Sequence, residues 1–132
     1  MTEYAQDLWQ RAHRALETAR NDLESGDCDA SASRAYYAAF YAISAVFALE
    51  GRFFQKHSAL EASLHRDLVN SGRFPTVLGS DYRSIRLLRN TGDYGGMEHV
   101  TADQAREAIN AARRIIVAVG KVHPELQEPH RE

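Results

Sequence analysis

The stretch Ala35–Leu49 is apolar around every side of a helix, interrupted by a single serine, and this constrains the fold more than any other feature of the chain. A helix of that kind has no face suited to solvent, so it belongs at the centre of a bundle of other elements. Three stripes separate on it. Tyr36, Phe40, Ile43 and Phe47 make a bulky face, and Ala35, Ala38, Ala42, Ala45 and Leu49 recur by threes and fours. That second stripe is a seam of small side chains, which lets a neighbouring helix approach closely. The third stripe, Arg34, Tyr37, Tyr41 and Ser44, is amphipathic. Its rings, like Tyr36 and Phe40, suit either a core or the stacking of bases, and most of them read as core. The run is too short to cross a bilayer.

The flanking segments supply the partners. Residues 2–25 carry Tyr4, Leu8, Ala12, Ala15, Leu16, Ala19 and Leu23 at helical spacing, with Thr2 as N-cap and Ser25-Gly26-Asp27 as the stop. The central segment spans about 29–50 and ends at Gly51. A third runs from 56 to 71 with Leu60, Leu64 and Leu68 inward, before Gly72 and Phe74-Pro75 break the chain. A fourth covers 78–90 and is expected to stop at Gly92. The fifth opens on Thr101-x-x-Gln104, a capping box, and continues through Ala105, Ala108, Ile109, Ala112, Ile115, Ile116 and Val119. No strand pattern or repeat is present. The expected fold is all-α: a four-helix bundle with an additional short helix, one domain over 1–120 and a frayed tail over 121–132.

Charge narrows the function. The formal net charge of -2 gives no global field for a polyanion, so any nucleic-acid contact has to come from a local patch. The single cysteine, Cys28, excludes an internal disulfide and reads as a small residue near a helix start. The first residues lack the basic and apolar regions of a signal peptide, and the reading is cytoplasmic with no membrane association.

One charge points the wrong way. Leu78, Tyr82, Ile85 and Arg89 share a stripe, which places Arg89 on the inward face. A buried guanidinium needs pairing, and Asp93 and Tyr94 are the nearest candidates, so Arg89 is either a structural tie or a site. Arg83, Arg86 and Asn90 lie on the adjoining outward stripe and, with Arg34, are either solvated or form a basic groove for phosphates. Lys56, His57 and Ser58 sit at a helix start, with His57 on the leucine side, as a capping histidine or an anion-binding corner. His57, Glu61 and His65 share a rough face, but histidines eight apart diverge too far for zinc, and no metal or cofactor is expected. Phosphate-binding glycine loops, nucleophile elbows and paired carboxylates placed for acid/base work are missing from the sequence.

Three motifs together resemble the HEPN domain (higher eukaryotes and prokaryotes nucleotide-binding), and specifically its small stand-alone prokaryotic branch. They are Ser33-Arg34-Ala35-Tyr36-Tyr37-Ala38-Ala39-Phe40-Tyr41-Ala42, then Gly51 followed by Lys56-His57-Ser58, then Arg89-x-x-Gly92-Asp93-Tyr94 ahead of the helix opening at Val100-Thr101. The match covers roughly residues 2–120. The resemblance implies a helical bundle that often forms a homodimer. It also implies RNA binding or RNA cleavage in a toxin–antitoxin setting, beside a small nucleotidyltransferase as partner. The superfamily's ribonuclease motif is an arginine followed by four to six residues and a histidine. Here Arg89 matches, but Tyr94, Gly95 and Gly96 stand where the histidine falls, and His99 lies beyond the spacing.

Three functions follow. A binding module holds RNA or a nucleotide, or docks a nucleotidyltransferase, through Arg34, Tyr37, Lys56, Arg86, Asp93 and Tyr94 around Arg89. A metal-independent ribonuclease uses Arg89 and His57 as catalytic residues, with His57 in place of the missing histidine. A dimerising adaptor uses the cluster only as an internal tie. Binding is placed first.

Overall fold

A computed structural model describes residues 2–126 of the chain. Five α-helices account for most of it: α1 (Thr2–Glu24), α2 (Cys28–Leu49), α3 (His57–Ser63), α4 (Thr76–Tyr94) and α5 (Ala102–Val122). α3 runs on into a π-helical stretch, Leu64–Val69. The architecture is the all-α bundle expected, with α1, α2, α4 and α5 long and α3 short.

α2 is the axis. Ala35, Ala38, Ala42 and Ala45 are fully buried, as are Ala5, Ala12 and Ala19 on α1. Small side chains on both helices bring the two backbones together, and Ser31 Oγ donates to the Ala19 carbonyl at 2.7 Å across the seam. Asp27 caps α2 by accepting from Ala30 N at 3.1 Å. Tyr36, Ile43 and Phe47 fill the core as the spacing predicts, while Phe40 is half-buried.

The segment after α3 widens. Asn70 N bonds to His65 O at 2.8 Å, the i to i+5 pattern of a π turn. Leucines spaced by four drift around an ordinary α-helix, and the wider turn brings Leu68 back inward with Leu60 and Leu64. Gly79 on α4 makes room for this segment, because a Cβ there would meet the His65 ring at 3.0 Å.

α4 departs from expectation. It begins at Thr76 and continues through Gly92 to Tyr94, so Arg89-x-x-Gly92-Asp93-Tyr94 is helix and not the start of a loop. Gly92 is required by packing: a Cβ would lie 2.9 Å from the Asp29 carbonyl oxygen, where α4 crosses the start of α2. The crossing is fastened by Asp29, which accepts from Val100 N at 2.7 Å and contacts His99 Nδ1 at 2.7 Å. Those partners, the Val100 amide first, hold the Asp29 carboxyl below the ordinary carboxylate value. The capping box at Thr101 and Gln104 is present. α5 extends to Val122 and Leu126 is buried; the rest of the expected tail, 127–132, lies outside the described residues. No helix among the described residues is long and apolar enough to cross a membrane.

Candidate functional site

α2, α3 and α4 enclose an open cleft of about 490 Å³, lined by Tyr36, His57, Ser58, Glu61, Ala62, His65, Arg86 and Arg89. Arg89 reaches it because it occupies the last inward position of the α4 stripe, below Ile85. Its side chain is 15% exposed. The guanidinium carbon lies 4.8 Å from the Tyr36 ring centre, 5.5 Å from that of Tyr94 and 5.9 Å from that of Tyr37. Three aromatic rings thus stabilise the cation. Burial acts against the charge, but hydrogen bonding with Tyr37 and the surrounding tyrosines outweigh it, so Arg89 holds its proton more tightly than usual.

The ion pair with Asp93 is incomplete. Arg89 Nε stands 3.1 Å from Asp93 Oδ2, within ion-pair distance, yet the same Nε is buried without a hydrogen-bond acceptor. The approach lies off the N–H direction, and this reading follows from taking distance and direction together. Asp93 is also fixed from α2, where Ser33 Oγ donates to Oδ2 at 3.4 Å. A weak 3.5 Å contact from Nη1 to Asn90 Oδ1 is the hydrogen bond Arg89 makes on its own helix. The buried Nε is the guanidinium donor left without an aligned acceptor.

His57 shares the cleft. Its ring packs against Phe40 at 4.3 Å between centroids, and against Tyr36 and Tyr37 at 5.7 and 5.8 Å. Burial first, and the positive charge of Arg89 second, hold its pKa below the ordinary 6.5. A neutral imidazole therefore sits beside a permanent cation near pH 7, a combination able to accept a proton next to a stabilised anion.

Glu61 organises the opposite wall. Its Oε1 accepts from Arg86 Nε at 2.7 Å and its Oε2 lies 3.3 Å from His65 Nε2. Arg86 is thereby paired in line with a carboxylate, whereas Arg89 has Asp93 within ion-pair distance but out of line with its Nε–H. Deeper, the Tyr36 and Tyr82 hydroxyls meet at 3.5 Å, and burial raises both phenols.

The structure brings His57, Arg86 and Arg89 to one cleft, with Tyr37, Asp93 and Tyr94 around the arginine. Lys56 stays exposed just outside, at the α3 N-cap position. Arg34 also lies over the Tyr37 ring, at 5.0 Å, and lines a different groove. His99 is held by Asp29 rather than facing Arg89. Among the described residues no group of three or more His, Cys, Asp or Glu is placed to hold a metal ion. Reasoning from sequence missed the Glu61–Arg86 contact and the pair between Asp81 and Arg114, whose Oδ1 and Oδ2 each accept from Arg114 at 2.9 Å. Asp81 gave a signal: it lies three residues after Leu78 and four before Ile85, on the same inward stripe.

Comparison with known proteins gives a consistent result. The model of the HEPN domain family matches residues 5–122. A UPF0332 protein of Thermotoga maritima is 30% identical over 122 residues, covering 92% of each chain. The UPF0332 protein glr0978 of Gloeobacter violaceus is 32% identical over 117 residues, 88% of this chain and 93% of its own.

Proposed function

The chain belongs to the HEPN domain family, and from that premise we propose that the cleft around Arg89 binds RNA or a nucleotide, as one component of a toxin–antitoxin-type pair with a nucleotidyltransferase. One observation carries this reading. Arg89 is a charged side chain, largely buried, whose Nε finds no hydrogen-bond acceptor, and it lines an open cleft with a neutral histidine across from it. A guanidinium lining an open cleft offers its terminal N–H groups to a phosphate, which accepts two at once. Tyr94, exposed beside the guanidinium, and half-buried Tyr37 offer ring surface to a base or ribose.

The binding test uses uridine monophosphate and short RNA against the wild type and Arg89→Ala, at two salt concentrations. Salt-sensitive affinity that Arg89→Ala removes supports the reading; equal affinity in both proteins defeats it.

A second reading is favoured by His57. With its pKa held down, it is neutral and able to take the proton of a ribose 2′-hydroxyl as that oxygen attacks phosphorus. Arg89 then stabilises the charge gathering on the phosphoryl oxygens, and the departing 5′-oxygen takes a proton from water. This is a ribonuclease reaction that needs no metal, and it predicts tRNA cleavage in EDTA that is lost in both His57→Ala and Arg89→Ala. A homodimer belongs to the same proposal. Tyr94 is 73% exposed beside Arg89, and Leu87 on the same helix is 53% exposed, so this end of α4 presents apolar surface to a second copy. Sedimentation of the purified chain checks it.

A further inference from the structure

The aromatic stripe of α2 does not stop at the Arg89 cleft. Arg34 and Arg89 stand 5.0 and 5.9 Å from the Tyr37 ring centre, so two guanidiniums serve one half-buried ring. Arg34 then lines a second groove, between α1 and α2, of about 330 Å³ with Arg11, Arg14 and Tyr41. A third recess of about 150 Å³ shares Arg11 and Tyr41 with that groove and adds Phe53. The rings between the recesses touch: Tyr37 lies 6.0 Å from Tyr41, and Phe40 lies 5.9 Å from Tyr41 and 4.3 Å from His57.

Rings in contact with one another, with guanidiniums at their margins, thus connect the cleft across α2 to the groove beside α1. The charge along this path is positive although the chain as a whole carries -2. Asp7 compensates Arg11 at 3.0 Å, but among the described residues no carboxylate lies within ion-pair distance of Arg14 or Arg34.

We propose that this path is a single-strand RNA track. The Arg89 cleft takes one nucleotide, and the α1–α2 groove takes its neighbours, with phosphates on Arg34, Arg14 and Arg11 and a base on Tyr41. The inference rests on the RNA reading of the cleft. Guanidiniums and a ring lining one groove suit a strand of phosphates and bases, because backbone contact and stacking are both offered. An acidic peptide would occupy the arginines and leave the rings uncovered.

The test compares uridine monophosphate with an eight-nucleotide oligouridylate on the wild type, Arg11→Gln/Arg14→Gln and Arg89→Ala. Both α1 arginines are exposed, and thermal melting followed by circular dichroism verifies that the double variant folds. The expected result is a double variant within about twofold of wild type for the monophosphate but about tenfold or more weaker for the octamer. Its octamer salt slope falls by about 1.4, for two lost phosphate contacts. A wild type that binds the octamer no tighter than the monophosphate overturns the track. So does a double variant that weakens both probes equally, or octaglutamate competing as well as the octamer. If Arg89→Ala leaves monophosphate binding intact while the double variant weakens the octamer, the cleft reading falls and the continuous track with it, and the RNA site is the α1–α2 groove alone. If the wild type binds neither probe, both fall.

Discussion

α4 buries two charges on its inward stripe, Asp81 near its start and Arg89 near its end, and they are treated in opposite ways. Asp81 is 8% exposed and fully matched: each carboxylate oxygen accepts from Arg114 of α5 at 2.9 Å. Arg89 has a carboxylate at 3.1 Å, but its Nε meets no acceptor in line and the rest of its environment is aromatic. Asp81 ties two helices together. Arg89 is held in place by ring faces at the edge of a cleft, with a buried Nε that no acceptor meets in line. Burial and charge alone do not separate a tie from a site; the direction of the hydrogen bonds does.

Breaking the tie gives the largest expected effect on stability. Arg114→Ala leaves Asp81 without its partner, and because Arg114 is itself half exposed the loss is about 2–3 kcal/mol, below that of a fully buried pair. Thermal melting reads this, while RNA affinity stays at the wild-type value. Gly92→Ala comes next. The added methyl meets the Asp29 carbonyl, so a net loss of about 1–2 kcal/mol is expected after the gain in helix propensity. It also shifts the turn that carries Arg89, so nucleotide affinity falls with stability, unlike in Arg114→Ala. Asp29→Ala removes the acceptor for Val100 N and the contact with His99, and is expected to destabilise by about 1 kcal/mol in chemical denaturation. The smallest effect is the titration of His57. Its folded pKa lies below the unfolded 6.5, so the unfolded chain binds more protons there. Its contribution to stability therefore falls as pH drops below 6.5 and levels off under the folded pKa. Proton NMR on Arg89→Ala is expected to show the His57 midpoint moving up, since a neighbouring positive charge is gone.

Much of this was legible in the sequence because it depends on spacing within one segment. The alanine seam, the leucines of α3, the Thr101 capping box and the inward placement of Arg89 all follow from helical periodicity. The end of α4 did not, because a glycine reads locally as a stop. Gly92 is there for the neighbouring backbone of α2, which periodicity cannot register. The π stretch after α3 is of the same kind, set by what the leucines pack against. Contacts between helices were the least legible: Glu61 with Arg86, Asp29 with His99, and the placement of Arg34 in a groove beside α1 rather than in the cleft. Each depends on how separate segments meet in space, and no single segment encodes that meeting.

The most direct test is to measure stability and uridine monophosphate affinity in parallel for Arg89→Ala and Arg114→Ala. The expected result is a clean exchange: Arg89→Ala loses about tenfold or more in affinity with a melting temperature near that of wild type, and Arg114→Ala does the reverse. If Arg89→Ala is the less stable protein and binding is unchanged, Arg89 is a tie like Asp81, and the cleft is not a nucleotide site.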